Sequence, residues 1–61
     1  MPLPVTVLLE RHEAGWTATV GEVSTATRRD RERAASRALQ RAQAVLGEDL
    51  AVTVRMLGEP T

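Results

Sequence analysis

The chain has one histidine, His12, with Glu10 and Glu13 close to it in sequence. An imidazole steadied by a carboxylate is how a general base is built, so any acid–base chemistry would start here. A catalytic base also needs a group to act on within hydrogen-bond reach, and no Ser or Cys nucleophile motif accompanies this one. His12 is therefore read as solvated surface. The carboxylate pairs Glu48-Asp49 and Asp30 with Glu32 are read as structural. Neighbours on a tight turn point apart, and Asp30 is placed to accept the orphan amides of a helix start. Glycines at 15, 21, 47 and 58 stand singly, which excludes a phosphate-cradling loop. The Asp and Glu spacing matches no calcium loop. With no cysteine there is no thiol nucleophile, thiolate metal site or redox switch. The expectation is a protein that is not an enzyme, with no cofactor and no metal.

The arginines are the remaining candidates. All eight basic residues are Arg, and six of them (Arg28, Arg29, Arg31, Arg33, Arg37, Arg41) fall in a single stretch opposed only by Asp30 and Glu32. Arg33, Arg37 and Arg41, spaced i, i+4, i+8, would form a cationic stripe on a helix, suited to phosphates. Against nucleic acid stand a formal net charge of zero, the lack of Lys, and the lack of Phe or Tyr on which bases could stack. Arginine is also a good helix former, so an exposed face rich in it needs no ligand. The stripe is read as a solvated face or a protein contact.

These side chains must be carried by a small set of elements. Val5, Val7 and Leu9 alternate with Thr6, Leu8, Glu10 and His12, the period of a half-buried strand. Pro2 and Pro4 belong before that strand or at its first residue. Glu13-Ala14-Gly15 is a short hairpin connection with glycine where a positive φ is needed. A second strand puts Trp16, Ala18 and Val20 on one face, and Trp16 is read as core. Val23 to Thr27 is a short Thr-rich strand suited to an edge. Ala34, Ala35, Ala38, Leu39, Ala42, Val45 and Leu46 gather on one face of a helix from about Arg31 to Leu46, which Gly47 ends. Leu50, Val52, Val54 and Met56 alternate in a fourth strand, and Gly58 to Thr61 reads as a tail.

The order β-β-β-α-β describes one domain over residues 1–61. The fold class is α+β: one mixed four-stranded sheet in spatial order 3-2-1-4, the last strand parallel to the first, with a single helix on one face. The predicted core is Val7, Leu9, Trp16, Ala18, Val20, Leu39, Val45, Leu46, Val52 and Val54.

A 61-residue chain buries only about 60% of the surface its unfolded form exposes, so it is marginal without help. A homodimer or higher homo-oligomer is expected, from the small core, the open third-strand edge and an outer sheet face bearing Leu8 and Leu57. No apolar run reaches membrane-spanning length, and Met1-Pro2-Leu3-Pro4 lacks the segments of a secretory signal. A cytoplasmic protein with no membrane partner is expected.

The run Val5-Thr6-Val7-Leu8-Leu9-Glu10, then Gly15-Trp16-Thr17-Ala18-Thr19-Val20, then the helix opening Asp30-Arg31-Glu32-Arg33-Ala34, resembles the HicB-like antitoxins, as does Gly47-Glu48-Asp49-Leu50-Ala51-Val52-Thr53-Val54. The similarity extends from Val5 to about Met56. It implies a partial ribonuclease-H-like fold that has lost catalysis and inhibits a HicA-type toxin, a ribonuclease that cleaves messenger RNA, by occluding its site. Two features depart from the family. Its Pro-Asp-Leu-Pro-Gly-type loop after the second strand is here Gly21-Glu22, and its usual DNA-binding domain does not follow in this sequence. HicA-type toxins are basic, so contact is expected through the sheet, its edges or the acidic Glu10/Glu13 corner, with Arg33, Arg37 and Arg41 a further candidate partner surface. The alternatives are an orphan oligomeric interaction module of the same fold, and a small nucleic-acid-binding domain using the helical arginines.

Overall fold

The structure is a computed structural model that describes residues 1–57; the Gly58 to Thr61 segment lies outside the described residues. The elements are β1 (Leu3–His12), β2 (Gly15–Val20), β3 (Ser24–Arg28), α1 (Arg31–Leu46) and β4 (Leu50–Met56). They form one sheet in the order β3-β2-β1-β4, with β1 antiparallel to β2 and parallel to β4, as the sequence predicts. The α1 crossover is what allows the parallel pair, since a tight turn cannot join parallel strands.

Alternation sets the faces. Val7 lies opposite Val20 and Leu9 opposite Ala18, and all four are buried beneath the helix with Ala26 of β3. Strand β1 begins earlier than Val5 and takes in Pro4. Leu3 turns its amide to β4, donating to the Asp49 carbonyl at 3.0 Å, so by alternation Pro4 faces the β2 side. The β1–β2 pairing reaches only as far as Val7 with Val20. The proline therefore sits where no ladder partner asks for an N–H.

Helix α1 buries Ala34, Ala38 and Ala42, at i, i+4 and i+8, against a bed that includes Ala18 and Ala26, themselves cross-strand partners. Small residues on both surfaces let the helix lie close to the sheet, and they place it over β2 and β3 rather than over the sheet centre. Two bonds fasten it there. The Ser24 hydroxyl donates to the Ala38 carbonyl at 2.6 Å, and the Arg41 guanidinium donates to the Thr25 carbonyl at 3.2 Å.

That offset corrects the predicted core. Val45, Leu46, Val52 and Val54 are exposed, Val45 by 70% and Val54 by 57%. Val52 and Val54 are in register with Val5 and Val7 and so point to the helix side, but the helix does not reach them. Val45 lies in the last turn, past the buried alanines. Leu39 is half-buried and stands outside the buried cluster. Truncating Leu39 to Ala should cost about 1 kcal/mol in chemical denaturation, below the roughly 2–5 kcal/mol of a full core leucine.

Asp30 sits at the helix N-cap with extended backbone, yet its side chain makes no capping bond. Its carbonyl accepts from the Ala34 amide, while the carboxylate lies 3.4 Å from Arg33 Nε. The expected carboxylate cap gives way to an exposed ion pair one helical turn on. At the other end Gly47 donates its amide to the Gln43 carbonyl at 2.9 Å, closing the helix where expected.

Candidate interaction surfaces

The residues singled out from the sequence fall on separate surfaces. Glu10 and Glu13 lie at the β1–β2 hairpin, where Glu10 Oε1 is 3.0 Å from His12 Nε2. Arg11, between them in sequence, points to the opposite face by strand alternation, its guanidinium carbon 6.0 Å from the centre of the Trp16 ring. The Glu10–His12 contact is an exposed pair and contributes little to stability.

Arg33, Arg37 and Arg41 are all exposed along α1, as the periodicity predicts, but two of them already have partners. Arg33 pairs with Asp30 and Arg41 donates to Thr25. The stripe is thus partly engaged in fastening the helix.

Trp16 is half-buried at the margin of the core rather than within it. The guanidinium carbons of Arg11 and Arg31 lie 6.0 and 5.9 Å from its ring centroid, at the limit of cation–π attraction. The helix offset leaves the indole beside a shallow recess lined by Arg29 to Arg33. Among the described residues no three His, Cys, Asp or Glu side chains gather as metal ligands would, and no helix is long and apolar enough to cross a membrane.

The surface that sequence reasoning missed is the β4 margin. Between the flank of α1 that carries Ala35 and strand β4 runs an open groove lined by Leu9, Ala35, Val54 and Met56, with Arg31 and Glu32 at one end. The alternating pattern of β4 gave the correct face. It held no sign that α1 would stop short of it, because that follows from where alanines fall on three different elements.

The two sheet edges differ in chemistry. On β3 the outer carbonyls are engaged: Arg41 donates to Thr25 and Arg28 donates to its neighbour Thr27 at 2.6 Å. These carbonyls are two residues apart and therefore lie on one edge of the strand. On β4 the Leu57 amide donates to the Leu9 carbonyl at 2.8 Å and Asp49 accepts from Leu3, so residues 49 and 57, and the odd positions between, face β1. Val52, Val54 and Met56 turn their N–H and C=O groups to the open edge. The helix-free face of the sheet carries threonines, with a shallow hollow around Leu8, Arg55 and Leu57. No family model, curated protein or solved structure matches the chain.

Proposed function

We propose that this chain is a non-catalytic, cytoplasmic protein-binding domain of the antitoxin type, which inhibits a small HicA-type ribonuclease by covering its site. The observation that carries the protein-binding part is the balance of apolar side chains. Among the described residues only Val7, Leu9 and Val20 are large, apolar and buried, alongside alanines, whereas Leu3, Leu8, Val23, Val52, Val54 and Leu57 are among the exposed. The groove that Leu9, Ala35, Val54 and Met56 line beside β4 gathers part of this exposed apolar surface in one place, and such a patch on a small domain suits contact with another macromolecule. The class of partner rests on the HicB-like resemblance, and the cytoplasmic setting on the absence of cysteine, which fits a reducing compartment.

Co-expression with the product of the adjacent reading frame, or with a panel of HicA-type toxins, tests the reading. The expected result is a complex that survives purification and restored growth. A folded chain that neither binds nor rescues sinks the inhibitory role and leaves the orphan oligomeric module, which the open apolar edge of β4 favours independently. The nucleic-acid alternative predicts binding that falls steeply with salt and is lost when Arg33, Arg37 and Arg41 are all changed to Gln.

A further inference from the structure

We infer that β4 is a self-association strand: two copies of this chain pair their β4 edges antiparallel about a twofold axis, extending each four-stranded sheet into one of eight strands. The inference rests on the reading of the chain as a protein-binding domain and supplies a surface and a partner for it.

Two observations support it. The first is the contrast between the edges. Unpaired strand edges are templates for further pairing, and proteins that stay monomeric blunt them with charge, proline or cover. Arg28 and Arg41 do this on β3. Along β4, Leu-Ala-Val-Thr-Val-Arg-Met, nothing among the described residues does: the one charged residue of the strand is Arg55, an odd position whose backbone faces β1.

The second is self-complementarity. With the axis at Thr53, Val52 of one copy pairs with Val54 of the other, both offering N–H and C=O outward. Arg55 then falls opposite Ala51, so no like charges meet. Val52 and Val54, 42% and 57% exposed, come side by side on the helix face, and an uncharged apolar edge finds its match in an identical strand.

Pairing at β4 leaves the hairpin carrying Glu10 and Glu13 and the arginine face of α1 free for a different partner.

Three variants and one native measurement test the inference. The unmodified chain at tens of micromolar should sediment at about twice its 6.6 kDa mass. Val54→Lys places a charge on the open edge at an exposed position and should weaken self-association by about tenfold or more, with an unchanged circular dichroism spectrum. Thr25→Lys, on the β3 edge, should leave the dimer intact. Thr53→Cys adds the chain's sole cysteine at the axis, where non-hydrogen-bonded antiparallel partners stand about 4.5 Å apart at Cα, within disulfide range. Mild oxidation should convert it to a covalent dimer. A monomeric native chain overturns the inference, as does dissociation by Thr25→Lys rather than Val54→Lys, or a Thr53→Cys dimer that does not cross-link. These outcomes are independent of the toxin assay: a monomer that binds a toxin refutes β4 pairing alone, and a β4 dimer that binds none refutes the inhibitory role alone.

Discussion

Replacing Gly15 by alanine should unfold the domain. Gly15 opens β2 opposite His12 with φ at +141°, a region that residues with a side chain rarely adopt. Conformation is the smaller part of the effect. A Cβ here would run into the Arg28 carbonyl oxygen and stand 2.8 Å from the Arg29 Cα. Both obstacles are backbone, at the point where β3 gives way to the approach to α1, so neither can rotate aside. Relief requires parting β2 from β3 at Trp16 with Arg28, which also disturbs the bed of the helix. The expected cost is about 3 kcal/mol or more, against a total on the order of 3–9 kcal/mol for a chain of this length. Gly21 provides the control. Its φ is +52°, but a Cβ there meets nothing within 4 Å, so Gly21→Ala should cost only the left-handed penalty of about 1–2 kcal/mol. Denaturation followed by the fluorescence of Trp16, the only tryptophan, separates the two. Equal midpoints would refute the packing argument.

Leu9→Ala should be nearly as damaging. Leu9 is 2% exposed and lies between Ala18 of β2 and Met56 of β4. Several of its buried neighbours are alanines, which have no side-chain freedom with which to fill a void. The loss should fall in the range of about 2–5 kcal/mol for truncating a core leucine, toward the upper end if the sheet cannot collapse. Val45→Ala removes a comparable aliphatic group from a position 70% exposed and should change stability by no more than about 0.5 kcal/mol. A Leu9→Ala variant with a native melting temperature would move Leu9 out of the core.

The element order, the sheet order and the in-facing sets of β1 and β2 were legible because each rests on local information: period two, period 3.6, turn glycines and the handedness of a crossover. The lateral position of the helix was not. The helical pattern of Ala34, Ala38 and Ala42 identifies which face is buried but not which strands it meets. That choice depends on Ala18 and Ala26 being neighbours in space and on side-chain bonds from Ser24 and Arg41. Val52 and Val54 were accordingly placed in a core that the helix never extends over. The carboxylate cap at Asp30 failed for a related reason: the N-cap preference ignores competition from an arginine three residues on. Of the candidate site, the exposure of Glu13, Arg33, Arg37 and Arg41 and the separation of the hairpin carboxylates from the helical arginines were legible in the sequence, whereas the partial burial of Glu10 and the hydrogen bond of Arg41 required the assembled fold.

The parallel pairing of β1 with β4 also orders events in time. Leu3 faces Leu50, so this pair joins residues far apart in sequence, whereas β2 pairs with β1 and β3 across short turns and α1 packs chiefly on β2 and β3. Contacts so distant close slowly, because chain entropy is lost before the pairing rewards it. On dilution from denaturant the β1–β4 pair should therefore be the last part of the sheet to form, and until it does the flank of β1 is open to β4 of another chain, so pairing between chains competes with closure within one as concentration rises.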